Sequence, residues 1–205
     1  MLEKSIRCPV CDATRFRSYR GRKNAQCARC GSKERHRLLA LVLGHLECGP
    51  AAEYPICHFA PERAISDLLA AKFGPMYRAA DFAPEIYSGI RRPVEKVDLT
   101  QSREHFSANS VAGFIHSHVL EHLPVHLGPV IAGMNGALRP GGVHIFQIPV
   151  VPGQTDEDLS PLLTDDDRLK RFGQEDTCAC LEPPTSEKPC WTISREWSAL
   201  TSAIC

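Results

Sequence analysis

From Arg35 onward, Leu38, Leu39, Leu41, Val42, Leu43 and Leu46 recur at helical spacing and predict an amphipathic helix ending near Gly49-Pro50. An apolar run over residues 54–60 predicts the first strand of a sheet. Pro61-Glu62-Arg63 then opens a helix carrying Ile65, Leu68, Leu69 and Phe73, with Gly74 at its end. Short apolar runs at 76–81, 94–99 and 111–116 predict three more strands. A helix over about 124–138 stops at Arg139-Pro140-Gly141-Gly142 and leads into a fifth strand at 143–149. Strands alternating with helices predict an α/β fold with a mostly parallel sheet and ligands at the C-terminal strand ends. Past Val151 the pattern fades. Asp156-Glu157-Asp158 and Asp165-Asp166-Asp167 read as an acidic loop region, and the segment around Pro183-Pro184 has no period.

Composition narrows the class. The chain has 205 residues, 43% hydrophobic and 23% charged, enough for one α/β domain and a small appendage. Met1-Leu2-Glu3-Lys4 begins no apolar leader, and no run approaches the length of a membrane span, so a cytoplasmic protein with no membrane partner is expected. The formal net charge of zero gives no support for broad attraction to nucleic acid, although a local basic group lies near the N-terminus. No pattern bears on oligomeric state.

In a reducing compartment the ten cysteines are not a disulfide framework. Cys8-Pro9-Val10-Cys11 and Cys27-Ala28-Arg29-Cys30 are two Cys-x-x-Cys knuckles fifteen residues apart. Four thiolates on two tight turns suit a tetrahedral Zn²⁺, with a rubredoxin-like iron, a disulfide or an unmetallated arrangement as alternatives. Four protein ligands leave no open position, so the expected role is structural. So few apolar residues make metal binding the main source of the segment's folding energy. Arg15, Arg17, Arg20, Arg22 and Lys23 decorate the intervening loop, as a solvated hairpin or as part of an acceptor-recognition module.

Two further segments suggest a family. Ser117-His118-Val119-Leu120-Glu121-His122-Leu123, followed by Leu138-Arg139-Pro140-Gly141-Gly142, resembles the fourth-strand segment and following turn of class I S-adenosylmethionine-dependent methyltransferases of the methyltransferase type 11 group. Gly31-Ser32-Lys33-Glu34-Arg35-His36-Arg37, behind the cysteines, resembles a subgroup with a cysteine-rich front end. The resemblance covers about residues 6–176. It implies a Rossmann-like methyltransferase domain over 34–176, a zinc-ribbon-like module over 1–33 and an atypical tail over 177–205. The family's glycine-rich first loop is replaced by His58-Phe59-Ala60-Pro61-Glu62, where Ala60 preserves part of the close backbone approach.

The resemblance implies S-adenosyl-L-methionine as cofactor and an unidentified small-molecule, glycan or protein methyl acceptor. His58, Phe59, Ala60 and Glu62 would hold the methionine end. Asp81 would accept hydrogen bonds from the ribose hydroxyls, with Phe82 beside it. Asp98 and Leu99 would meet the adenine. His116 would lie near the transfer centre, where His118 would orient or deprotonate the acceptor. Glu121 reads as a brace for the following segment. Class I sheets usually continue with a further helix and a closing β-hairpin. Here Arg171-Phe172 resembles the start of that continuation, but the tail turns proline- and cysteine-rich and leaves an exposed sheet edge as the expectation. The competing reading is a nonenzymatic zinc-containing binding protein on a reduced methyltransferase-like scaffold.

Overall fold

Two strands, β1 (Phe16–Tyr19) and β2 (Arg22–Cys27), pair antiparallel about Arg20-Gly21. Both turn residues have positive φ, 46° and 77°, as the mirror-image turn of a tight hairpin requires. Helix α1 (Glu34–His45) follows at once. The remaining order is β3 (Ile56–Phe59), α2 (Arg63–Phe73), β4 (Tyr77–Asp81), β5 (Val94–Lys96), α3 (Ser102–His105), β6 (Val111–Ser117), α4 (Leu127–Ala137), β7 (Leu138–Gln147), β8 (Asp156–Glu157), α5 (Asp165–Phe172), β9 (Ala179–Cys180) and β10 (Thr192–Ser194). The computed structural model describes residues 6–45, 53–148, 156–160, 162–172, 177–180 and 192–194.

Six strands form one sheet in the order β10-β7-β6-β3-β4-β5. The five strands from β3 to β7 are parallel, and β10 runs antiparallel on the edge of β7. Both faces are covered. Leu39 and Leu43 of α1 and Ile65 and Leu69 of α2 pack on Ile56, Ala79, Ile115 and Ile145. Val130, Met134 and Ala137 of α4 pack on Phe59, Phe114 and Phe146 from the other side. A strand buried on both faces needs no polar alternation, and all seven residues of β6 are buried. The sheet is the Rossmann-like α/β arrangement expected from the sequence.

Chain direction across the sheet reverses at β3. The chain steps from β3 outward to β4 and β5, then returns to β6 on β3's other side. Such a switch point opens a crevice at the carboxyl ends of the two central strands. At the opposite, amino end of these strands Gly113 lets β3, β6 and β7 close up: a Cβ at this position would lie 3.0 Å from Ile56 Cδ1 and 3.1 Å from Val143 Cγ2.

Three elements depart from the pattern reading. Arg139-Pro140-Gly141-Gly142 is not a turn before β7 but an irregular part of it, since Val111 pairs with Leu138 and Gly113 with Val143. The acidic stretch at 165–167 begins a helix. Thr164 and Asp167 cap each other, the Asp167 amide donating to Thr164 Oγ1 and the Thr164 amide to Asp167 Oδ2. Its three aspartates sit at the amino end and Lys170 and Arg171 at the carboxyl end, as the helix dipole favours. The edge of β7 is also occupied, because β10 pairs with it at His144, Ile145 and Phe146. The predicted end of α1 at 46–49 lies outside the described residues.

Candidate functional site

The hairpin brings four sulfurs together. Cys8, Cys11, Cys27 and Cys30 Sγ all lie within 4.8 Å of one another. Two of the pairs are separated by 3.8 Å (Cys8–Cys30) and 3.6 Å (Cys11–Cys27). Thiolates about 2.3 Å from a tetrahedral ion sit about 3.8 Å apart, so the donor set fits such an ion. Each knuckle turns through a positive-φ residue directly after its second cysteine, Asp12 (60°) and Gly31 (72°). The buried Ser32 hydroxyl lies 3.3 Å from Cys8 Sγ and 3.1 Å from Cys30 Sγ. Sequence reasoning passed over Ser32, whose position directly after Cys30-Gly31 was the available signal.

Two residues beyond Ser32, α1 begins and its first turn crosses to the sheet. Arg37 ties the helix back to the module through the carbonyls of Asn24, Ala25 and Ser32. Arg35 and His36 instead reach the turn between β3 and α2. Glu62 Oε1 lies 3.3 Å from His36 Nε2 and 3.7 Å from Arg35 Nε, and Glu62 Oε2 lies 3.4 Å from His58 Nε2. The two histidine approaches are not well-formed hydrogen bonds, and the Arg35 approach is too long to be one. They act chiefly as electrostatic contacts.

The tautomers follow from the partners of both ring nitrogens. His36 Nδ1 accepts from the Lys33 amide, and His58 Nδ1 faces the Tyr77 hydroxyl, which in turn meets Ser66 Oγ at 2.6 Å. The first contact turns the His36 Nε2–H toward Glu62. The hydroxyl facing His58 Nδ1 can donate or accept, and it is the Glu62 carboxylate, an acceptor only, that favours an Nε2–H on His58. Burial alone would raise the Glu62 carboxyl, but His36 and His58 outweigh it and hold it well below the usual carboxylate range. Burial pushes the neighbouring Tyr77 phenol up to about 12. The two unusual segments of the sequence, 31–37 and 58–62, are thus halves of one seam.

The same turn opens on the crevice. Ala60 has φ 48°, left-handed backbone that an alanine adopts at a cost, and its amide donates to the Ala80 carbonyl. Because Glu62 faces the seam, no side chain caps the amino end of α2. One strand over, Asp81 ends β4. Its Oδ1 accepts from the Ala83 amide at 2.8 Å and its Oδ2 from the Tyr87 hydroxyl at 2.7 Å. Each oxygen retains a further lone pair. Asp98 Oδ1 accepts from the Thr100 amide and hydroxyl, capping the short turn at Leu99–Gln101. Phe82 is 64% exposed with Lys96 Nζ over its ring. Phe59 and Leu99 are buried among Phe106, Phe114 and Leu120, which makes them core residues in this structure.

At the end of β6, His118 also has positive φ, 55°. Its amide donates to the Gln147 carbonyl, and its Nδ1 is 2.9 Å from Glu121 Oε1. Glu121 is 1% exposed, and its backbone carbonyl accepts from the Cys178 amide. A carboxylate on Nδ1 leaves His118 Nε2 as the free lone pair of the ring. Gln147 stitches the strand ends together, accepting from Ser117 Oγ and donating to the Arg35 carbonyl. His116 lies deeper. Its Nε2 is 2.9 Å from His144 Nε2, and His144 Nδ1 is 2.9 Å from Asn135 Oδ1. Burial pushes His144 down to about 4, and burial beside the His144 ring holds His116 well below the usual imidazole range. Both rings are neutral, and His116 stacks on Phe146. The sequence did not single out His144 or Asn135; only strand register brings them to His116.

No family profile and no curated protein matches the chain. Solved structures similar in fold include a SAM-dependent methyltransferase from Archaeoglobus fulgidus, 12% identical with a TM-score of 0.48 over 72% of this chain and 61% of that one. A second is an S-adenosylmethionine-dependent methyltransferase from Mesorhizobium loti, 17% identical, with a TM-score of 0.40 over 60% of this chain and 59% of that one. A third is coclaurine N-methyltransferase bound to N-methylheliamine and SAH, 12% identical, with a TM-score of 0.45 over 74% of this chain and 46% of that one. The present chain spans less than two thirds of the length of each. Among the described residues, no helix is long and apolar enough to cross a membrane.

Proposed function

We propose that this protein is a cytoplasmic S-adenosylmethionine-dependent methyltransferase whose N-terminal cysteines hold one structural zinc ion. One observation carries the enzyme reading. At the switch point of a parallel sheet, an uncapped helix amino end and the positive-φ turn at Ala60 stand beside an acidic strand end, Asp81. This combination suits a ligand with a carboxylate at one end and a ribose further along. Bound there, S-adenosylmethionine would supply a methyl group activated by its sulfonium.

The chain's own residues would bind and orient. The first amides of α2 meet a carboxylate, and Ala60 keeps the backbone close with a side chain of one carbon. Asp81 offers its remaining lone pairs to ribose hydroxyls, with Tyr87 and the Ala83 amide fixing its rotamer. Asp98, whose Oδ1 is held by Thr100, would offer Oδ2 to the adenine. His118 takes a proton at Nε2 while Glu121 holds Nδ1. Alignment and exclusion of water do the rest, because methyl transfer needs little acid–base chemistry.

Zinc is supported by the sulfur spacing and by the all-thiolate donor set. Its role is structural, since four protein ligands close the coordination shell.

Calorimetry with S-adenosylhomocysteine on folded, metal-loaded protein tests the reading. Binding is expected, with at least a tenfold loss in Asp81→Ala; no binding by the intact protein would sink the proposal. Transfer of labelled methyl groups to a cell extract then separates an enzyme from a protein that only binds the cofactor.

A further inference from the structure

We propose that the four-cysteine module is a docking surface for a nucleic acid strand, which makes a polynucleotide the class of methyl acceptor. The acceptor half rests on the methyltransferase reading above; the docking half does not. The net charge of zero conceals a partition. Residues 6–33 hold eight basic side chains against one acidic one, Asp12, so the rest of the chain is correspondingly acidic. Four thiolates on one zinc ion contribute two negative charges, so a surplus of about five positive charges remains. In so small a module it repels itself, and an external polyanion relieves it.

The fold does not neutralise that surplus. Among the described residues of the module, only Arg7 and Arg22 face carboxylates, those of Asp12 and Glu34. Arg15, Arg17, Arg20 and Lys23 are exposed. Arg15 and Arg17, two apart along an extended segment, share the face opposite Phe16, while Arg20 and Lys23 flank the hairpin tip. Arg17 makes a single contact, to the Ala28 carbonyl. These four on the hairpin, together with Arg29, which reaches the Cys11 carbonyl, are the exposed cations that face no carboxylate and can meet phosphates.

One feature favours nucleic acid over an acidic polysaccharide. Six of the eight cations are arginine, whose planar fork pairs with phosphate in two parallel hydrogen bonds. Tyr19, half-buried, gathers charge at the hairpin, with Lys33 Nζ 4.7 Å and the Arg20 guanidinium 5.6 Å over its ring.

The module also connects to the crevice. Ser32 touches the cysteine sulfurs, α1 starts two residues later, and its first turn rests on Glu62 beside Ala60. The module that carries the surface is therefore joined through α1 to the turn that borders the crevice.

The test is fluorescence anisotropy of full-length, zinc-loaded protein with a short labelled single-stranded RNA over a salt series. Four phosphate contacts predict a slope of log K against log salt of about −3, from roughly 0.7 per contact. The triple variant Arg15→Ala/Arg17→Ala/Lys23→Ala is expected to flatten the slope to about −1 and to weaken binding at least tenfold. It should retain wild-type zinc content, circular dichroism and S-adenosylhomocysteine affinity, since the substituted side chains are exposed. Arg91→Ala/Arg92→Ala, a loss of charge beside β5, should leave RNA binding unchanged. The proposal is overturned if the wild-type protein does not bind RNA, if both variants lose equally, or if heparin binds more tightly than RNA. RNA binding without S-adenosylhomocysteine binding would keep the docking surface and discard the methyltransferase reading.

Discussion

Glu62 is the point at which the front module, α1 and the sheet meet, and Glu62→Gln tests whether its charge holds them together. The substitution keeps the shape and removes the negative charge facing Arg35, His36 and His58. Breaking a fully buried ion pair costs about 3–5 kcal/mol. The Arg35 side chain is 38% exposed, so solvent screens part of this and about 2 kcal/mol is the expected loss at pH 7. The sign of the pH dependence follows from the depressed carboxyl. Its contribution is fully present above the ordinary glutamate value of 4.5 and is lost as pH falls below it toward the folded-state value. Each pH unit below that point removes about 1.4 kcal/mol. The gap between wild type and variant should therefore be constant from pH 7 to about 5 and nearly closed by about pH 3. Urea denaturation followed by circular dichroism at several pH values measures it directly. A gap that stays constant down to pH 3 would refute the reasoning, as would a variant more stable than wild type at pH 7. The second result would mean that burial, not the imidazoles and Arg35, dominates the carboxylate.

Other expectations concern the metal and the core. Cys8→Ser/Cys27→Ser should lose about one zinc per chain by elemental analysis, together with the hairpin's amide protection in hydrogen exchange; a zinc-free but fully protected hairpin would contradict the site. Ser32→Ala should keep the metal but release it to a competing chelator roughly ten times more readily, because a group contacting the ligand sulfurs is gone. Gly113→Ala should cost about 1–3 kcal/mol in thermal or urea denaturation, since the new Cβ meets Ile56 and Val143 at 3.0–3.1 Å. A neutral effect would mean that β3, β6 and β7 are less closely packed than described.

Some of this protein was legible residue by residue. The two knuckles announce a four-thiolate site because their spacing lets each turn present two sulfurs, and the Arg20-Gly21 turn then closes the hairpin. The parallel strands read as apolar runs because both faces of the sheet are covered by helices. Helix α5 escaped notice because its capping partner is aspartate rather than glutamate or glutamine, and its only apolar residues are Leu169 and Phe172. Strand β10 has three residues, too few to display a period.

The sequence by itself determined the local chemistry: the thiolate cluster, the order of the five parallel strands, and the acidic strand end at Asp81. Periodicity and ligand spacing are properties of neighbouring residues, so they survive without a fold. Which distant residues meet was decided only by tertiary structure. Strand register sets His144 against His116 across 28 positions, and the descent of α1 onto the sheet sets Arg35 and His36 against Glu62. Glu121 was legible as a polar residue after β6, but only burial, with His118 Nδ1 at one oxygen and the Cys178 amide at its carbonyl, makes it a fixed brace. Those pairings depend on how layers pack, and packing joins residues that the sequence keeps apart.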